Sequence, residues 1–460
     1  MNKNFFLPDV NQFIIAKIGG TSVANFKSMN NSANIILTNK NIRLVVLSAS
    51  AGITNLLIEL SEGCKENKRC KLLQKIKKIQ FSIINKLETT EFISKKINNI
   101  LDKIIYLSKL AQVKKTKILT DEIVSYGELM STLVFVEILR QRNINSKWFD
   151  IRNIMKTNEN FGQAKPKIAE LKKFAEQQLL PILIKSLVIT QGFIGCDKNG
   201  HTTTIGRGGS DYTATLLAEA LNLSHVEIWT DVPGIYTADP HIVPNAQRID
   251  EITFNEATEM AIFGAKILHP ATLLPAIRTK ISVFIGSSQN PEAGGTVINH
   301  KTISTPYIKS LAIRRKQVLL ILDNIKIFNI HIFLIKIFAI LLQHNIPIEL
   351  INITKSSVVL IINTTIYIRK NNDLLKNILI SKLSYLCCVK IEENFALVTI
   401  IGNKLLQIHG LTKRIIDSLK SFDIRMINYG TSYNNICLLI SDHNAKEFLQ
   451  ILHTNLFDKI

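Results

Sequence analysis

Apolar residues along the first 300 positions come in short runs, too brief for helices and too continuous for strands with one wet face. The runs Phe13 to Ile18, Arg43 to Ser48, Leu187 to Thr190 and Val226 to Thr230 read as strands buried on both sides, with helical stretches between them. This alternation predicts an α/β domain with a mostly parallel sheet and helices on both faces. Each strand ends in a loop rich in Gly, Ser, Thr or Asp, where open α/β sheets place their ligands.

Beyond about residue 305 the order becomes strand, helix, strand, strand, and it does so twice. Ile348-Glu349-Leu350-Ile351-Asn352 recurs as Ile424-Arg425-Met426-Ile427-Asn428, each time after an amphipathic helix and before a further apolar strand (Val358 to Ile362, Ile436 to Ile440). A repeat of ~75 residues predicts two copies of a small α+β unit. Because 460 residues exceed what one core supports, three domains are expected, over residues 1–305, 306–392 and 393–460.

Composition changes this picture little. Hydrophobic residues at 46% and charged ones at 20% belong to an ordinary globular chain. The six cysteines show neither CxxC spacing nor an accompanying histidine cluster, so they read as reduced thiols in a cytosol, and no metal site is expected. The start, MNKNFFLPDVNQF, lacks the apolar core of a secretory signal. The stretch Ile325 to Leu342 is broken by Lys326, Asn329, His331 and Lys336, short of the ~20 apolar residues of a membrane span. A cytoplasmic protein with no membrane partner is expected. The net charge of +20 raises the question of nucleic acid. However, lysine is spread with isoleucine and asparagine through nearly every segment, without an aromatic-interleaved stripe, which reads as compositional bias and no nucleic-acid partner.

Six loops carry candidate chemistry. Lys17-Ile18-Gly19-Gly20-Thr21-Ser22-Val23 closes a strand with paired glycines, which let backbone N–H groups approach a phosphate beside a lysine; read alone it is more simply a tight turn. It is no Walker A loop, since GxxxxGK[ST] occurs nowhere in the chain. Ser48 to Asn55 leads into a helix whose N-terminus takes an anion, or which Thr54 merely caps. Leu119 to Ser131 is a capped helix in which Gly127 costs ~1 kcal/mol relative to alanine, so something approaches its backbone closely. Glu128 then faces a ligand, or, read alone, is a surface glutamate. In Thr202 to Thr213 the glycines around Arg207 leave its guanidinium free for a bidentate grip on a carboxylate, while Ser210 and Asp211 cap the helix Ala214 to Leu221. Trp229 to Pro240 offers a turn, TDVPG, that can wrap a purine with Tyr236 beside it, and Phe263 to Pro270 offers Lys266 to nucleotide phosphates; read alone, each is equally well a plain turn or helix end.

In this order the segments SASAGITNLL, SYGELMSTLVFVEILR, TQGFIG, GRGGSDYTA, WTDVPGIYTADP and FGAKILHPATLLPA resemble the aspartate kinase family, of the amino-acid kinase fold, in particular its monofunctional, lysine-sensitive bacterial branch. The likeness runs over nearly the whole chain. It implies ATP and Mg²⁺ as cofactors, with Lys17, Gly19, Gly20, Thr230, Asp231, Tyr236, His241, Lys266 and Ile267 at the nucleotide. It places L-aspartate against Thr54, Glu128, Arg207 and Ser210, with Lys17 and Asp211 at the reacting groups. The family carries arginine after TADP where this chain has His241, which holds only partial charge near neutral pH, so weaker or pH-dependent ATP binding is expected. The repeated units resemble paired ACT modules, which bind lysine between two chains and join them as a homodimer or tetramer. Phe333, Leu334, Ile348 and Glu349 fall at that site. Glu349 keeps an acid for the ligand's amine, but Lys355 stands where a second acid is expected and Ile332 where a glycine is. Lysine feedback is therefore expected to be weakened or lost. Two alternatives stay open: a non-catalytic amino-acid sensor, and a kinase of glutamate or N-acetylglutamate, which would lack the paired ACT modules.

Overall fold

The computed structural model describes residues 9–264, 268–300, 307–323, 330–344, 346–354, 356–363, 377 and 380–457. The chain forms two compact units. One holds residues up to Ile235 with Arg248–Ala261 and residues 266–304; the other holds Tyr236–Gln247, Ile262–Ala265 and the chain from residue 305.

The first unit is built on the strands β1 (Ile14–Ile18), β2 (Ile42–Leu47), β3 (Ser146–Phe149) and β4 (Leu187–Gln191), a hairpin of β5 (Ile194–Cys196) and β6 (Thr202–Thr204), and β7 (His225–Thr230). The chain leaves this unit within β8 (Ile235–Tyr236), returns at β9 (Arg248–Ile249), and adds β10 (Glu251–Thr253), β11 (Ser282–Ser287) and β12 (Gly295–Asn299). Eight strands make one sheet in the order β10-β12-β11-β7-β1-β2-β4-β3, and every neighbouring pair is parallel except β11 with β12. The buried runs Ile15 to Ile18 and Leu44 to Leu47 are continuous because helices cover both faces. Those helices are α1 (Phe26–Thr38), α2 (Ile53–Ser61), α3 (Glu66–Ile84), α4 (Glu91–Val113), α5 (Lys117–Gln141), α6 (Ile168–Phe174), α7 (Leu180–Leu183), α8 (Gly209–Ala220), α9 (Phe254–Ile262) and α10 (Pro270–Thr279).

The helix expected from Leu119 begins earlier, at Lys117, because Thr116 is its cap: Thr116 Oγ1 accepts from the Leu119 N–H at 3.2 Å. Its centre is buried on every side, from Ile123 to Thr132. The helix packs on β2, β3 and β4, so its polar interior residues need partners inside the protein.

The second unit carries one antiparallel sheet in the order β14-β15-β13-β16-β18-β17. Its strands are β13 (Ile308–Asp323), β14 (Ile348–Ile353), β15 (Ser357–Asn363), β16 (Cys388–Gly402), β17 (Ile424–Asn428) and β18 (Asn435–Ser441), with α11 (Ile330–Gln343), α12 (Leu411–Leu419) and α13 (Ala445–Phe457). Both repeats appear as α+β units, and they share this sheet. The long strands β13 and β16 pair side by side from Ile308 with Gly402 to Asp323 with Cys388, and residue 392 lies inside β16. In β13 the alternation of the pleat sorts the apolar run: Val318, Leu320 and Leu322 join α11 in one core, and Leu319 and Ile321 point into another. No helix among the described residues is long and apolar enough to cross a membrane.

Candidate active site

Three parallel strands end at one level, with Ile18 of β1 beside Leu47 of β2 and Trp229 of β7. The chain goes from β1 to β2 on one side and reaches β7 on the other, so the loops that follow part and leave a crevice at the carboxyl edge. A cavity of about 490 Å³ lies there, lined by Lys17, Gly19, Gly20, Ser50, Thr54, Glu128, Arg207, Ser210, Asp211, Thr230 and Asp231 among others. All of these residues belong to the first unit.

The glycines are needed for closeness. A Cβ on Gly20 would sit 2.7 Å from the Ala49 carbonyl oxygen, and one on Gly19 3.3 Å from that of Trp229. The loops are stitched at this distance by Gly19 N–H donating to Trp229 O (2.9 Å) and Ala51 N–H to Gly20 O (3.0 Å). Gly127 plays the same part on α5: its Cβ would meet that of Ala49 at 2.8 Å, so the close approach expected from the sequence is the 48–52 loop.

Lys17, at the end of β1, pairs with Asp211 at 2.6 Å in a largely shielded setting. Asp211 and Ser210 do not cap α8. That helix begins at Gly209 behind Gly208, which sits at φ +74° and makes no side-chain capping bond, so Asp211 in the first turn is free to meet Lys17. Ser210 lies against Gly192, where a Cβ would fall 2.5 Å from its own. Thr54 is likewise no cap, since Gly52 at φ +85° precedes α2 and Thr54 lies within its first turn, on the cavity wall. Glu128 is not a surface residue: it is 3% exposed. Its Oε1 accepts from the Ala49 N–H at 3.2 Å, and its buried Oε2 has no hydrogen-bond partner among the described residues. Burial pushes this carboxyl up to about 8, against the lesser pull of the Ala49 N–H. Arg207 is exposed on its glycine loop and makes no ion pair among the described residues. The cavity thus offers a buried carboxylate for a cation and a free guanidinium for an anion.

Two residues escaped the sequence reading. Ser50 is 1% exposed, lines the cavity and leaves its hydroxyl without a partner among the described residues; the run of small hydroxyl residues was its only signal. Asp121 holds the Arg207 segment from behind, accepting from Thr204 N (2.8 Å), Thr204 Oγ1 (3.0 Å) and Gly162 N (2.9 Å). Its partners are distant in sequence, so no local pattern marked it.

Other predicted residues lie elsewhere. Tyr236 and His241 belong to the second unit, where His241 is exposed and its N–H donates to Asp239 Oδ1 at 3.0 Å. Lys266, Ile267 and Lys355 lie outside the described residues. Phe333 is fully buried in the core of the first repeat, with Leu334 and Ile348 at the edge of that core. The Glu349 carboxylate forms an ion pair with Arg314 of β13, a partner the sequence did not suggest.

A mostly parallel sheet whose carboxyl edge carries a glycine turn, a Lys17–Asp211 ion pair, a buried carboxylate and an exposed arginine around one cavity suits a small-molecule kinase. Residues 12–287 match the amino acid kinase family and residues 398–456 an ACT domain; the chain belongs to the amino acid kinase family. It is 51% identical over 449 residues to lysine-sensitive aspartokinase 3 of Escherichia coli (strain K12), covering 98% of this chain and 100% of that protein. It is 30% identical over 446 residues to the aspartokinase of Chlamydia pneumoniae, covering 96% and 97%. Among solved structures, E. coli aspartokinase III in complex with aspartate and ADP superposes with a TM-score of 0.88 at 52% identity, over 97% of this chain and 100% of that one. The same enzyme in complex with lysine and aspartate gives 0.83 over the same shares. Within its family the chain is an aspartokinase.

Proposed function

We propose that the chain transfers the γ-phosphoryl group of ATP to the side-chain carboxylate of L-aspartate, yielding ADP and 4-phospho-L-aspartate, which opens the route to lysine, diaminopimelate, threonine and methionine. The observation that carries this reading is the one cavity lined by the Lys17–Asp211 pair, Glu128 and Arg207. Arg207 takes the substrate α-carboxylate in its planar fork and Glu128 its ammonium. Thr54, Ser50 and Ser210 supply hydroxyls around the remaining oxygens. A side-chain carboxylate with an ordinary pKa of ~3.9 is ionised at neutral pH, so its oxygen attacks phosphorus directly. The new P–O bond forms as the bond to the β–γ bridging oxygen breaks, the electron pair leaves on ADP, and no general base is required. The Gly19 and Gly20 backbone admits the phosphates, and Lys17, oriented by Asp211, offsets charge on the group in flight. Mg²⁺ would come with the nucleotide and neutralise its phosphates. No group of three or more Asp, Glu, His or Cys gathers as a separate metal site among the described residues; Asp231, an exposed carboxylate on the cavity wall, suits an ion carried by phosphates. Thr230, Tyr236, His241, Lys266 and Ile267 complete the nucleotide assignments.

The repeats are read as ACT modules that join two chains, or four, in the cytoplasm. Lysine feedback is read as weakened, because Glu349 is already neutralised by Arg314. The non-catalytic sensor draws no support from a cavity that keeps Lys17, Glu128, Arg207 and Asp231 together. Hydroxylamine trapping with ATP, Mg²⁺ and either aspartate or glutamate tests the reaction. Aspartyl hydroxamate is the expected product; folded protein giving none with aspartate would overturn the reading.

A further inference from the structure

Asp121 is not among the residues lining the cavity, yet it ties together segments that reach it. Its carboxylate, on α5, is 2% exposed. Oδ2 accepts from both the Thr204 N–H at 2.8 Å and the Gly162 N–H at 2.9 Å, and Oδ1 accepts from Thr204 Oγ1 at 3.0 Å. Thr204 O accepts in turn from the Ala164 N–H at 2.9 Å, so residues 162–164, the end of β6 and α5 are joined at one point. Arg207 follows Thr204 by three residues, between Gly206 at φ +84° and Gly208 at φ +74°. Glycines on both sides leave that short loop wide conformational freedom, so anchors outside it decide where the guanidinium stands.

Glu128 stands on the same helix seven residues further on. Seven residues are close to two turns, so both carboxylates lie on one face of α5, roughly 10 Å apart along its axis. The three donors that meet Asp121 would be left unpaired inside the protein if they moved away, and that cost holds them in place. We propose that Asp121 is a positioning residue for the substrate α-carboxylate: by pinning Thr204 and Gly162 to α5 it holds the Arg207 loop at a fixed spacing from Glu128, so that one helix sets both grips on the α-amino-acid head. This rests on the assignment of Arg207 and Glu128 to aspartate. Asp121, Gly162, Thr204, Arg207 and Glu128 all lie in the first unit. The hydrogen bonds of the Asp121 side chain go to Thr204 and Gly162 and not to Lys17 or the Gly19–Gly20 turn, so its effect is selective for aspartate over ATP.

The test is steady-state kinetics of the full chain, read by hydroxamate formation. Asp121→Ala removes all three bonds. Asp121→Asn keeps both backbone donors on its side-chain oxygen, while its amide donates to Thr204 Oγ1, whose hydroxyl turns from donor to acceptor. The kcat/KM for aspartate is expected to fall about tenfold or more in Asp121→Ala, with the KM for ATP within about twofold, and to return towards wild type in Asp121→Asn. Added to Arg207→Ala, Asp121→Ala should lower kcat/KM by less than about twofold more, because its effect runs through the group already removed. Should Asp121→Ala fail to fold, Thr204→Val, which loses the hydroxyl bond alone, carries the comparison, with an expected fall of about threefold that likewise vanishes beside Arg207→Ala. Equal loss for both substrates, losses that multiply in the double variant, or a loss in Asp121→Asn as large as in Asp121→Ala would overturn the proposal. Absence of hydroxamate from wild-type protein would instead overturn the kinase reading beneath it.

Discussion

Glu128 is where the physics of a single residue is sharpest. Its carboxyl is pushed up to about 8 from an ordinary 4.5 by burial. Below that ordinary value it is protonated in folded and unfolded chains alike. Between there and about 8 only the folded protein keeps the proton, so stability falls as pH rises through this window and levels beyond it. Glu128→Gln removes the titrating group, and its thermal midpoint should decline less than that of wild type between about pH 5.5 and about pH 8. Substrate behaves oppositely, because an ammonium ion requires the ionised carboxylate. The KM for aspartate should therefore fall as pH rises from about 6.5 to about 8, and in Glu128→Gln it should be at least tenfold higher, by about 1.4 kcal/mol or more, and flat with pH. Parallel profiles for the two proteins would remove Glu128 from the substrate site. At Arg207, replacement by lysine keeps the charge but loses the fork, so the KM for aspartate should rise by about tenfold or more while the KM for ATP changes little.

Elements bring such residues together only where backbones nearly touch. Gly127→Ala would press a Cβ against Ala49 Cβ at 2.8 Å and Leu57 Cδ1 at 3.3 Å, wedging α5 from the loop that feeds α2. A loss of about 1–3 kcal/mol in denaturant unfolding is expected, together with weaker aspartate binding, since Ala49 is also the donor to Glu128. The central strands β1, β2, β4 and β7 were legible in the sequence to within a residue, because a strand covered on both faces must be apolar throughout, whereas the shorter and edge strands carried no such run. The helix start was misread at Ser210 with Asp211, and the capping alternative at Thr54 fails, for a common reason. Hydroxyl and carboxylate residues near a helix N-terminus resemble caps, but here glycines at positive φ make the turns and release those side chains into the cavity. Glu128, alone in sequence, looked like surface; only the packing of α5 against three strands showed it to be interior.

At the scale of the whole molecule the two repeats place β14 and β17 at the ends of one sheet, without a further paired strand among the described residues, and unpaired edges invite a second chain. Light scattering of the full protein should give the mass of a dimer or tetramer, and a monomer would count against the ACT reading. Lysine up to about 1 mM, a concentration that only a pocket of millimolar affinity or better would register, should leave hydroxamate formation nearly unchanged, with Arg314→Ala, which removes one cationic partner of Glu349, more sensitive than wild type. Local pattern alone determined the α/β class, the repeat and the glycine, hydroxyl and arginine loops, because period, turn chemistry and residue type are written over a few consecutive positions. It did not determine that Asp211 faces Lys17 across 194 residues, that Arg314 occupies Glu349, or that Thr237 meets His453 across 216. Those pairings join positions distant in the chain, and only the tertiary structure decided them, because a buried charge or hydroxyl takes its partner from whatever the fold brings within reach.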